Sequence, residues 1–89
     1  MARFIVSNQH LAGDCPELAD ELASYYDAGK GQGTVDVYCT CSAGEHRMYF
    51  ITHADGPAEA MDTIPPGFLR TPTIVSKVEP AYEFATGDI

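Results

Sequence analysis

Six side chains in this 89-residue sequence have the chemistry to hold a metal ion or attack a substrate: His10, Cys15, Cys39, Cys41, His46 and His53. Taken singly, each is weak evidence, because a lone cysteine is most often a small buried hydrophobe and a lone histidine an ordinary polar residue. Taken together, they allow two chemistries. Thiolate and imidazole suit a transition metal such as nickel, zinc or copper. The spacing His10-x4-Cys15 crosses a loop into a helix and can bend around one ion, with Glu45 adding an oxygen ligand. The other chemistry is nucleophilic. Cys15 falls at about the first helical position, where the helix dipole and free amides favour a thiolate, and His10 and His46 can serve as base and acid. Beside both stands a plain structural role, with Cys15 packed under a loop and the imidazoles bonded to backbone. Cys39 reads as core and His53 as structural, facing the uncovered side of the sheet.

The elements decide whether these residues meet. Ala2 to His10 (ARFIVSNQH) opens with β-branched and aromatic residues and reads as a strand with Phe4, Val6, Asn8 and His10 on one face. Asp14-Cys15-Pro16-Glu17 is a helix start, and Leu18, Leu22 and Tyr25 or Tyr26 then recur at helical spacing. Asp20, Glu21 and Asp27 take the wet side, as Glu59 and Asp62 do on the second helix. Gly29, Gly31 and Gly33 form a connector. Thr34 to Ser42 (TVDVYCTCS) alternates, placing Val35, Val37, Cys39 and Cys41 on one face, and Ala43-Gly44 makes a tight turn into a return strand from Glu45 to Thr52. Asp55-Gly56-Pro57 begins a short helix through Met61, and Thr73 to Glu79 is a last strand. Residues 1–89 make one domain, with a partly ordered tail over 80–89 that includes Tyr82 and Phe84.

The order β-α-β-β-α-β in one small sheet predicts the ferredoxin-like α+β arrangement: four antiparallel strands in the order 4-1-3-2, both helices on one face. Strand 1 then runs against strand 3. That brings His10 beside His46, Cys15 to the same edge, and Cys41 across the hairpin from His46. Cys39 faces Met48. The pair Cys39-Thr-Cys41 is a poor disulfide, since two residues of strand separate the Cα atoms by about 6.5–7 Å.

Composition narrows the partners. Five Lys or Arg against thirteen Asp or Glu give a net charge of -8, and the basic residues are scattered, which argues against nucleic acid and anionic membrane surfaces. Phe4-Ile5-Val6 is too short for a signal-peptide core or a membrane span, so the cytoplasm is the expected location, and three cysteines fit a reducing compartment. The face without helices carries Ile5, Tyr38, Tyr49 and Ile51, too apolar for a solvated surface, and predicts a homodimer.

His10-x4-Cys15-Pro16 after a first strand, Gly44-Glu45-His46 opening an aromatic strand, and Ala54-Asp55 before a second helix together resemble a group of small prokaryotic proteins catalogued as domain of unknown function 3303. The match runs over roughly residues 3 to 79. The resemblance implies a dimeric α+β barrel of ferredoxin-like domains with His10, Cys15, Pro16, Gly44, Glu45 and His46 as a shared site and no assigned activity. Cys41 and His53 stand outside its pattern. A similar-looking family of ferredoxin-like nickel-binding proteins points the same site toward a metal. The functions open from sequence are therefore a metal- or small-ligand-binding module, a small-molecule enzyme using Cys15, His10 and His46, and a structural or interaction domain.

Overall fold

A computed structural model describes residues 1–79 and 81. The expected ordering of Tyr82 and Phe84 in the tail lies outside those residues. The chain forms β1 (Ala2–Gln9), α1 (Cys15–Asp27), β2 (Thr34–Cys39), β3 (Arg47–Ala54), α2 (Pro57–Met61) and β4 (Thr73–Val78). Three 3-10 turns are added at Ala12–Asp14, Cys41–Ala43 and Pro66–Arg70. The sheet is antiparallel throughout, in the order β2-β3-β1-β4, which is 4-1-3-2 read from the β4 edge.

Period-two alternation sets the two faces. Phe4, Val6 and Asn8 of β1 are buried beneath the helices, and opposite them lie Thr52, Phe50 and Met48 of β3. Leu18 of α1, Ala60 of α2, and Ile64 and Phe68 of the connection to β4 close this core. Fully burying a side chain such as Phe50 or Ile64 contributes about 1.5–3 kcal/mol, so these few residues carry most of the fold's apolar stabilisation. The opposite face holds Ile5, Tyr49 and Ile51 half-buried, with Tyr38 and Ile74 on the outer strands 58% and 66% exposed. No helix among the described residues is long and apolar enough to cross a membrane.

Three local expectations change. First, β2 carries a bulge between Thr34 and Asp36, so Val35 turns outward and is 52% exposed instead of sharing the inner face with Val37. The bulge brings Thr34 inward. Its hydroxyl donates to the Thr63 carbonyl at 3.0 Å and accepts from the Tyr26 hydroxyl at 3.2 Å. Second, β2 ends at Cys39 and β3 starts only at Arg47, so the connection spans residues 40–46 rather than a two-residue turn. Third, Asp14 precedes α1 but lies in the helical region and makes no side-chain cap bond, because the 3-10 turn already leads into the helix.

Glycine is required where the α1–β2 connector passes under Tyr26. Gly31 has a φ of 74°, and a Cβ there would run into the Tyr26 ring and the Thr63 carbonyl. Glu21, expected on the wet side of α1, instead accepts a hydrogen bond from the Gly67 amide and faces Arg70 at 3.8 Å. This contact fastens α1 to the turn that carries Phe68.

Candidate metal centre

The β1–β3 register pairs Gln9 with Arg47, and one further step sets His10 opposite His46. The two residues are joined there, because the His10 amide donates to the His46 carbonyl at 3.1 Å. His46 holds a φ of 50°, and it is the one non-glycine residue with a left-handed backbone among those described. That conformation costs on the order of 1–3 kcal/mol, and such strain persists where surrounding structure enforces it and often where function needs it. It turns the imidazole back over the strand end, toward the start of α1. Gly44, with a φ of 89°, closes the preceding 3-10 turn and folds Cys41 in from the other side.

Four ligand atoms converge as a result. Cys15 Sγ lies 3.1 Å from His10 Nε2 and 3.1 Å from His46 Nδ1. Cys41 Sγ lies 3.8 Å from Cys15 Sγ and 3.7 Å from His10 Nε2. All four atoms fall within 4.8 Å of one another. A tetrahedral ion with bonds of about 2.3 Å to sulfur and 2.0–2.1 Å to nitrogen needs edges of about 3.8 Å between sulfurs and 3.5 Å between sulfur and nitrogen. The distances from Cys41 to Cys15 and His10 already fit, and the wider pairs, up to 4.8 Å apart, need to close. The two contacts of Cys15 need to open by only about half an ångström. His10 is buried and the other three are half-buried, so protein covers most of the site.

Of the residues expected from sequence, His10, Cys15, Cys41 and His46 come together, and Glu45 does not. Its position in the 40–46 connection leaves its side chain exposed, outside the group. Cys39 is also exposed, contrary to its expected place in the core. It does pair with Met48 as expected, but β2 is an edge strand and α1 leaves its end uncovered. His53 lies far from the centre, opposite Arg3 on β1. All three cysteines are free thiols.

Sequence reasoning placed Asn8 on the right face but missed its role. Its amide nitrogen donates to the Phe68 carbonyl at 2.7 Å and also reaches the Thr71 and Thr73 hydroxyls. The nitrogen is thereby fixed toward those acceptors, which aims Oδ1 at His10 Nδ1, 3.3 Å away. His10 must then carry its proton on Nδ1 and present a bare Nε2 lone pair to the cluster, the arrangement that metal-ligating histidines use. The signal was available in principle: an asparagine on a core-facing position two residues before a candidate ligand needs partners. Asn8→Ala is expected to lower metal affinity about 10–100-fold while leaving one ion per chain, measured by competition with a chromogenic chelator.

The electrostatics of the metal-free cluster disfavour charge. Burial lowers the His10 pKa from its ordinary value and the neighbouring His46 lowers it further, against a small opposing pull from Asp14. Burial pushes the Cys41 thiol up to about 11, and contacts with Cys15 and Cys39 add to the rise. Neutral imidazole is already the ligating form. A thiol held protonated becomes a thiolate when a cation replaces its proton.

Comparison with protein-family models, curated proteins and solved structures finds no match to this chain.

Proposed function

We propose that this chain is a metal-binding domain in which His10, Cys15, Cys41 and His46 hold one zinc ion in a closed tetrahedral site. The observation that carries the reading is the convergence of four soft or borderline ligand atoms within 4.8 Å. Two sulfurs and two nitrogens in that arrangement suit zinc better than nickel, which prefers planar or octahedral surroundings, or copper(II), which prefers a tetragonal set. An enzyme using Cys15 as nucleophile and His10 as base would exploit the same 3.1 Å contact. It gives no reason for Cys41 to complete the group, and a four-protein-ligand site leaves no open position for substrate. The site therefore serves folding and geometry in this reading. Metal analysis of protein purified without an affinity tag tests it. One zinc per chain supports the reading; no stoichiometric metal, with zinc uptake unaltered in His10→Ala, sinks it.

Binding is also expected to release protons. At pH 7 the Cys41 thiol is protonated, so zinc must displace at least that proton, and affinity rises with pH. Calorimetric titration in buffers of different ionisation enthalpy measures the number released. A value of zero would mean that Cys41 does not ligate as thiolate.

The open sheet face and the cysteines extend the reading. The exposed Tyr38 and Ile74 beside half-buried Ile5, Tyr49 and Ile51 support a homodimer formed through the open sheet face. With -8 on each chain, the pairing must rest on apolar contact. Sedimentation of the wild type and of Tyr49→Glu distinguishes it, since a dimer should become a monomer. Free thiols at all three cysteines support a reducing compartment such as the cytoplasm. Membership of the domain of unknown function 3303 group is proposed on the motifs around His10, Gly44 and Ala54 alone.

A further inference from the structure

Beside the four ligands, between α1 and the β2–β3 hairpin, lies a cavity of about 290 Å3. Leu18 and Leu22 of α1, Met48 of β3 and Phe68 form its apolar wall, and no charged side chain lines it. Its polar end is made by His10, Cys15 and Cys41. α1 is held at its start by the Cys15 contacts and along one side by the Glu21–Gly67 contact.

We infer that this cavity is a binding site for a small neutral apolar molecule carrying one hydroxyl or amine donor, with the donor directed at the sulfurs of Cys15 and Cys41. The size of the occupant follows from the volume. An enclosed apolar cavity of about 150 Å3 takes benzene, so this partly open one of about 290 Å3 takes a molecule of about ten to twelve non-hydrogen atoms with one side facing solvent. Its neutrality follows from the lining, since an ion entering this space would lose its hydration with no opposite charge to meet it. The donor follows from the polar end. The sulfurs of Cys15 and Cys41 line that end and can accept a hydrogen bond from the donor. Ligands of this kind typically meet a mostly apolar pocket with a few polar groups that fix orientation. The inference goes beyond the metal reading, because the apolar wall of Leu18, Leu22, Met48 and Phe68 contains none of the four candidate ligands.

The probe is 1-naphthol, titrated into zinc-treated and chelator-treated protein, with naphthalene-1-sulfonate as its charged counterpart. Ala19 lines the same cavity from α1 and is otherwise exposed, so Ala19→Phe fills the space without replacing a ligand residue. Leu22→Phe narrows it from the next turn of the helix and serves if the first variant melts early. The expected result is one 1-naphthol per chain, weakened at least about tenfold in either folded variant, with the sulfonate binding more weakly than the naphthol. No binding of 1-naphthol to wild-type protein in either metal state, or equal binding by wild type and a folded variant, overturns the inference. Zinc stoichiometry, measured separately on the same samples, reports on the metal reading alone.

Discussion

Cys15→Ser is expected to remove stoichiometric metal binding, whereas Cys39→Ser is expected to leave it intact. Cys15 is the hub of the cluster, with its sulfur in contact with His10, His46 and Cys41 at 3.1, 3.1 and 3.8 Å. Serine keeps the helix start but replaces a soft, ionisable donor with a hydroxyl that does not ionise near neutral pH. The vacancy cannot be filled from nearby, since Glu45 is exposed and outside the group. Losing a direct ligand costs more than losing an outer partner, whose removal alone costs about 10–100-fold, so the expected loss of affinity exceeds about a hundredfold. Cys39 supplies the control because it carries the same thiol close by but is exposed and not one of the four. Competition against a chelator of known affinity measures both variants. Equal loss in the two would mean that the ion sits nearer the strand edge than the cluster.

The second large effect is on stability. The four ligands join the end of β1, the start of α1 and the connection between β2 and β3, so a bound ion ties together elements that are distant in sequence. An ion that binds only the folded chain stabilises it by about 4 kcal/mol when free metal is a thousandfold above its Kd. For a chain of this size that corresponds to a rise in Tm on the order of 15–30 °C. Heating zinc-loaded and chelator-treated protein under reducing conditions measures the difference. Acid should narrow it. In the metal-free protein the folded-state pKa of His10 is depressed, so the stability tied to its neutral form is present above the ordinary histidine pKa and is lost as pH falls through the lower folded value. In the zinc-loaded protein protonation of His10 would in addition release a ligand, and that competition narrows the difference. Protons also compete with the ion for both thiolates. A difference in Tm that is small at neutral pH would show that the cluster is not a folding element.

Much of this was legible in advance for one physical reason: an antiparallel pair has a fixed period and a fixed partner. Alternation in Phe4, Val6, Asn8 and His10 set the buried face of β1, and the connectivity then required His10 to meet His46. Cys15 followed from the proline-containing helix start. The remainder depended on events that have no period. The bulge at Thr34 and Asp36 turns Val35 outward, and it goes with a hydroxyl contact from Thr34 to the Thr63 carbonyl, remote in sequence. The hairpin lengthened because the residues between Cys39 and Arg47 adopt a 3-10 turn, with left-handed Gly44 and His46 completing the approach of Cys41. The alignment of His10 by Asn8 depends on the Phe68 carbonyl, which lies in a turn that no hydrophobic pattern announces. The first and third are polar contacts between distant segments and the second is a local backbone conformation, and composition and spacing are silent about both.

Cobalt(II) titration of the reduced, metal-free protein tests the central claim most directly, because tetrahedral cobalt bound by two sulfurs and two nitrogens absorbs strongly in the visible and shows thiolate charge-transfer bands. The expected result is an intense spectrum that saturates at one cobalt per chain, is displaced by zinc, and is lost in Cys15→Ser and in Cys41→Ser alike. A weak octahedral spectrum, no saturation, or an unchanged spectrum in Cys41→Ser would contradict a site built from His10, Cys15, Cys41 and His46.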